Sequence, residues 1–282
     1  MKKLKFTKME GAGNDYVYIN LFDESIKEPE KLAIEISHRH FGVGSDGLVL
    51  IAPSKVADLQ MIMFNSDGSK SEMCGNAIRC VGKYAWEYGL VKKKTIKIET
   101  GAGIKLVKLN VDKSNLVQSA SVEMGIPELD AQKIPSTLYG PNIIDQQFTF
   151  EDINLNGTLV SMGNPHFVTY VDDVEKTPVQ TWGPMIENSI YFPHRINVEF
   201  VQVLNRKEVI QRTWERGAGE TWACGTGASA VCVAGVLNDR TDESILIHLT
   251  GGDLQLTWKG KKEPVIKEGP AREVFSGVWP LV

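Results

Sequence analysis

Two stretches place a cysteine directly before a glycine at the start of a helical run: SEMCGNAIRC, residues 71–80, and TWACGTGASA, residues 221–230. In the first, Cys74 precedes Gly75 and Asn76; in the second, Cys224 precedes Gly225 and Thr226. The first N–H groups of a helix have no partner inside it, and the helix dipole leaves partial positive charge there. A thiolate at that point is stabilised, so a thiol with an ordinary pKa of about 8.5 is expected to move toward neutrality. The same amides can hold a carboxylate, and glycine lets the backbone come close to it. One such motif supplies a base beside an anion site. Two supply a thiolate and a thiol for the two faces of one bound amino acid. Inversion of an α-carbon needs that pair: one group removes the proton, the other returns it on the opposite face, and the amides absorb charge building on the carboxylate.

A lone Cys-Gly before a helix is more often a small buried residue than a base. Repetition changes that balance. An offset of 150 positions relates Cys74 to Cys224, Asn14 in AGNDYV to Asn164 in MGNPHFV, Phe64-Asn65 to Trp214-Glu215, and GLVL at 47 to NVEF at 197. Each Gly-Asn lies 60 residues ahead of its cysteine, and Asn65 and Glu215, at strand ends, each lie 9 ahead. Duplication explains this more simply than coincidence. Cys80 and Cys232 do not match under the repeat and read as core residues, and His38, His40, His194 and His248 as ordinary surface or packing residues.

The elements that must carry these residues alternate along the chain. Runs such as YVYINL, GLVLIA, DLQMIMFN, KTIKIET, NVEFVQVL and VIQRTWE are strand-like, bounded by Gly, Pro, Asn or Asp. Three stretches predict helices: PEKLAIEISHRH, NAIRCVGKYAWEYGL and GASAVCVAGVLND. Many strands and few helices predict an α+β fold of two halves, jointed near Gly125–Pro127. A length of 282 residues suits two moderate domains, and 42% hydrophobic with 23% charged residues is the composition of a globular protein. A net charge of −4 with no Lys/Arg-rich face argues against nucleic acid as a partner. No apolar run approaches a membrane span, and the N-terminus has no apolar core behind its lysines, so a cytoplasmic protein is expected. There is no CxxC, no zinc-like Cys/His spacing, no P-loop and no GxGxxG after a strand, so neither a metal nor a cofactor is expected.

These residues together resemble the diaminopimelate epimerase family. GAGNDYV, GVGSDGL, FNSDGSKSEMCGNAIRC, SMGNPHFV, RINVEF, WERGAGETWACGTGASA and AREVFSGV occur in the family's order, from about residue 11 to 278. The resemblance implies two pseudo-symmetric α+β domains, each a curled, mainly antiparallel sheet around a central helix. They are expected at 1–123, completed by a strand at 270–282, and at 124–269. It implies cofactor-free interconversion of LL- and meso-diaminopimelate, on the route to lysine and peptidoglycan, by a homodimer.

Carried over by motif, Cys74 and Cys224 resemble the acid/base thiols, with His166 and Glu215 tuning their protonation. Gly75-Asn76 and Gly225-Thr226 resemble the carboxylate site at the reacting centre. Asn14, Gly47, Asn65, Asn164, Asn197, Glu215 and Arg216 would hold the substrate, whose second amino-acid end needs an ammonium acceptor and a carboxylate fork. Two positions depart from the pattern. Gly47 stands where some members carry a substrate-reaching glutamine, so any contact there comes from backbone. Phe275 replaces a tyrosine associated with dimer packing. A proline-racemase-like enzyme is the nearest rival, but that family tends to place His after the first Cys-Gly, where this chain has Asn76. A binding protein that kept the fold is the non-catalytic alternative, and the retention of both cysteines counts against it.

Overall fold

Lysines alternating with apolar residues lay down the first strand, β1 (Lys2–Gly11), which buries Leu4, Phe6 and Met9. The computed structural model describes residues 2–260 and 262–281. They divide into two units, Met1–Val122 with Glu268–Val282, and Glu123–Lys267.

In the first unit β1 is followed by β2 (Asn14–Asn20), α1 (Pro29–Ser37), β3 (Gly47–Ala52), β4 (Leu59–Asn65), β5 (Lys70–Ser71), α2 (Ala77–Glu87), β6 (Thr95–Thr100), β7 (Gly103–Val111) and β8 (Val117–Gly125). The second unit runs β9 (Gln146–Phe150), β10 (Ile153–Ser161), β11 (Pro165–Tyr170), α3 (Val179–Glu187), β12 (Asn197–Asn205), β13 (Glu208–Glu215), β14 (Gly219–Thr221), α4 (Gly225–Leu237), β15 (Ser244–Leu249), β16 (Gly252–Thr257) and β17 (Val265–Pro270). Then β18 (Arg272–Leu281) returns to pair antiparallel with β1, as β9 pairs with β10.

The repeat extends to the pairing of the strands. β2 lies parallel to β3 with Tyr16 opposite Gly47, and β11 lies parallel to β12 with His166 opposite Asn197, both residues shifted by 150. Leu48 faces Phe64 across β3 and β4, and Val198 faces Trp214 across β12 and β13. Each unit wraps its sheet around one central helix and carries a second helix outside. α2 packs on β1, β2 and β7, while α4 packs on β10, β11, β12, β15 and β16. α4 is apolar all round because every side of it is enclosed by strands. α1 lies against β2, β3 and β4, and α3 against β12, β13 and β14. Separate apolar cores form beneath the outer helices, one on Leu32, Ile36, Leu48 and Phe64, the other on Phe148, Phe167, Phe192 and Phe200.

Among the described residues this α+β architecture carries four helices rather than three. The extra one, α3, hides in VQTWGPMIE because Pro184 and Gly183 are poor helix formers in the middle of a helix. The strand β1 is likewise additional, its apolar residues masked by lysines. Among the described residues no helix is long and apolar enough to cross a membrane. Phe275, on β18, is 46% exposed and meets Phe6 edge-on at 5.9 Å.

Candidate active site

In the first unit, β4 and β5 deliver the chain to Cys74, which does not open the helix as expected but lies in a turn ahead of it: its carbonyl accepts the Ile78 N–H at 3.0 Å, and α2 begins at Ala77 with Asn76 as its cap. The Cys74 thiol donates to Oδ1 of Asn14 at 3.2 Å. Asn14 is oriented from its other end, where Nδ2 donates to Asp46 at 2.7 Å. Asp46 also accepts from Arg39 at 2.8 Å, and Arg39 and Lys8 both pair with Asp15. Burial alone would raise the Asp15 carboxyl, but Arg39 and Lys8 outweigh it and hold it below the usual range. Burial, then the Cys74 and Asp46 charges, push the Tyr16 phenol well above its ordinary value.

The mouth of α2 is tied from beneath by Arg79, which is fully buried. Its Nη1 donates to the Gly75 carbonyl at 2.9 Å and to Oδ1 of Asn76 at 3.0 Å, and its Nε to the Pro270 carbonyl at 3.1 Å. Gly47 is buried in β3, and its carbonyl accepts the Ser45 hydroxyl at 2.9 Å. A side chain there would overlap the Phe64 carbonyl and lie 2.9 Å from the Tyr16 ring. Asn65, at the end of β4, donates to Ser69 at 2.9 Å.

The second unit repeats the frame with different chemistry. The Cys224 carbonyl accepts from Ala228 at 2.9 Å, the repeat equivalent of the bond from Ile78. Cys224 is extended (φ −114°, ψ 110°) and caps α4 itself, its sulfur accepting the Gly227 N–H at 3.3 Å with the Thr226 hydroxyl at 3.4 Å. Ser229 replaces Arg79 beneath the helix mouth and donates to the Gly225 carbonyl at 2.9 Å. Glu215 accepts the Thr221 hydroxyl at 2.5 Å, and burial raises its carboxyl above the usual range.

His166 sits between Glu199, at 2.8 Å from Nδ1, and Asn164, whose Oδ1 is 3.1 Å from Nε2. Asn197 ties the start of β11 to the turn after β13, donating to the Pro165 carbonyl at 2.7 Å and accepting the Arg216 N–H at 2.9 Å. The Arg216 guanidinium reaches the His194 carbonyl at 3.2 Å.

The helix mouth leads to the expectation of a Cys224 thiol drawn down toward neutrality, and the structure reverses it. Burial, then the Glu215 and Glu199 carboxylates, push Cys224 well above the ordinary cysteine range, against the Thr226 and Gly227 hydrogen bonds. Burial also takes the two core thiols up, Cys80 to about 11 and Cys232 to about 12. All four cysteines are free thiols.

The structure therefore brings Cys74 to Asn14 in one unit. In the other it gathers Cys224 with Glu215, Thr226 and Gly227, and His166 with Asn164. Asp46, Arg79, Glu199 and Thr221 are additions that the sequence reasoning missed. Glu199 had a signal: a carboxylate in NVEFVQV, two residues along from Asn197 and therefore on the same face of a buried strand.

The family model described as diaminopimelate epimerase matches residues 6–130 and 158–274. Among curated relatives, the diaminopimelate epimerase of Acetivibrio thermocellus is 50% identical over 281 residues, covering 97% of this chain and 98% of that protein. Those of Agathobacter rectalis and Methanococcus maripaludis are each 48% identical, covering 97% of this chain and 98% and 99% of their own lengths. The chain belongs to the diaminopimelate epimerase family. Membership in the epimerase family makes it an isomerase with the α+β fold of that family. Solved structures share that fold at low identity. A Bacillus anthracis phenazine biosynthesis protein of the PhzF family has a TM-score of 0.71 at 15% identity, over the whole of both chains. An Agrobacterium vitis hydroxyproline epimerase with bound trans-4-hydroxy-L-proline has a TM-score of 0.67 at 14% identity, over 99% of this chain and 91% of that one.

Proposed function

We propose that this chain interconverts LL- and meso-2,6-diaminopimelate without a cofactor, using Cys74 and Cys224 as its two acid/base groups. The names of its relatives supply the substrate. The observation that carries the mechanism is a cysteine at an offset of 150 on the approach to the central helix of each unit, in the turn just before α2 and at the N-cap of α4, with the equivalent backbone bond from the residue four ahead. In one direction a thiolate takes the α-proton while the opposing thiol delivers its own proton to the other face; the reverse reaction exchanges the roles. The amides at Gly75-Asn76 and Gly225-Thr226 hold the carboxylate as it gains enolate character. Asn14, Gly47, Asn65, Asn164, Asn197, Glu215 and Arg216 hold the rest of the substrate, Gly47 through its backbone, and His166 and Glu215 tune the thiols. The enzyme works in the cytoplasm as a homodimer, with Phe275 on the contact face.

The test is incubation of reduced protein with LL-diaminopimelate in deuterated water, followed by NMR. Loss of the α-proton signal with growth of the meso isomer is expected, and Cys74→Ala or Cys224→Ala lowers the rate at least about 100-fold, the scale of a lost acid/base group. Substantial turnover in either variant sinks the two-thiol mechanism; no exchange in the parent protein sinks the substrate.

A further inference from the structure

Glu199 lies on β12 and is fully buried, and its hydrogen bonds go to groups other than the Cys224 thiol whose charge it opposes. Its Oε2 accepts the Thr213 hydroxyl at 2.6 Å and the Gln211 amide at 2.7 Å, while its Oε1 faces Nδ1 of His166 at 2.8 Å. The Gln211 amide nitrogen donates both to Glu199 and to the Thr213 hydroxyl, and its Oε1 is left with no partner among the described residues. The cluster is committed to donating toward an ionised Glu199.

A carboxylate only accepts, so Nδ1 of His166 carries a hydrogen. Nε2 faces another acceptor, Oδ1 of Asn164 at 3.1 Å, so this arrangement calls for a hydrogen there too. The Asn164 carbonyl is thereby turned inward and its NH2 is left to face outward.

The repeat-related amide is held the opposite way round. Asn14 donates its NH2 to Asp46 at 2.7 Å and presents its carbonyl to Cys74. The position equivalent to Glu199 in the first unit is Val49, and a charge is absent there. Two asparagines at matching places thus offer opposite polarity, which suits a ligand carrying both carboxylate and ammonium.

We propose that Glu199 is a positioning residue for the epimerase reaction: through His166 it sets Asn164 as a donor toward the substrate, while Asp46 sets Asn14 as an acceptor. The inference rests on the proposed role of Asn164 in holding diaminopimelate. Glu215 on β13 and Cys224 before α4 are the other titratable groups near this cluster. Replacing the charge of Glu199 removes the reason for a second ring hydrogen. A neutral ring with its hydrogen on Nδ1 turns a lone pair toward Asn164, whose amide rotates and loses its donor.

The test uses the full-length enzyme labelled with 15N-histidine, His166 being assigned by His166→Asn. In the parent protein both His166 ring nitrogens are expected to show signals of protonated nitrogen. In Glu199→Gln one becomes an unprotonated nitrogen, and the KM for LL-diaminopimelate rises about tenfold, as for lost binding of the substrate's fixed end, whatever kcat does once the Cys224 thiol is relieved of a nearby charge. Glu199→Asp keeps the charge and restores the doubly protonated signals. An unprotonated ring nitrogen in the parent protein overturns the proposal without any variant having to fold. An unchanged KM or unchanged ring signals in a folded Glu199→Gln protein do so as well. Failure of the parent protein to epimerise diaminopimelate is a separate result: it removes the substrate, and the ring signals still judge Glu199.

Discussion

The two thiols are unequal at the level of single residues. Cys74 donates to an asparagine above a buried arginine, whereas Cys224 accepts from a helix amide beside two carboxylates. The sign of the second effect can be tested. A thiolate beside Glu215 is repelled once both are ionised, so Glu215→Gln moves the pH midpoint of Cys224 alkylation by iodoacetamide to lower pH. Mass-spectrometric quantification across a pH series reads this midpoint separately from the slow rate that burial imposes. An unmoved midpoint means that Glu215 does not act on the thiol. The cysteine pair itself was legible in the sequence because each copy authenticates the other at a fixed offset. Glu199, Asp46 and Arg79 were not, because their meaning comes from cross-strand neighbours far away in sequence: Thr213 and Gln211 for Glu199, Asn14 and Arg39 for Asp46. A buried arginine inside an apolar helix pattern also looks like any exposed one.

At the scale of elements, the central helices are placed with little tolerance where they meet the buried charges. Gly227, in the first turn of α4, faces Glu199 so closely that an added Cβ would lie 2.5 Å from one carboxylate oxygen and 2.7 Å from the other. Gly227→Ala must therefore displace the helix mouth or the Glu199 cluster. It is expected to cost about 1–3 kcal/mol of stability, the usual range for overpacking, measured as a lowered thermal midpoint. A melting point equal to the parent's would show that the cluster yields freely. The strands β2 to β4, β6 to β8, β11 to β13, β15 and β16 were legible from apolar and β-branched runs bounded by turns, and so were α2 and α4 from their apolar content, whereas the polar-interrupted runs of β9, β10 and β17 were not. The first strand and α3 were missed for opposite reasons. In β1 the lysines disguise an alternating pattern, whereas in α3 packing on β12, β13 and β14 overrides an internal proline.

The whole molecule is a duplicated unit in which the first copy is completed late in the sequence. Residues Leu281 to Arg272 pair along β1 from Lys2 to Glu10, with one irregularity between Lys8 and Met9. Removing residues 272–282 strips β1 of one of its two neighbours and exposes Leu4 and Phe6. The shortened chain is expected to lose the cooperative melting of the first unit in circular dichroism; an unchanged transition would mean that β18 adds nothing to it. The same pairing also sets an order of events on the ribosome. Residues Glu123–Lys267 are contiguous, so the later-made unit has all its strands before the earlier-made one. At about 5–20 residues per second, β1 waits roughly 15–50 s for its partner to be synthesised. Through that interval it is an open sheet edge carrying Lys3 and Lys5, both exposed. Such charges discourage pairing with a neighbouring nascent chain. The lysines that hide this strand from a sequence reader also guard it while it is unpaired.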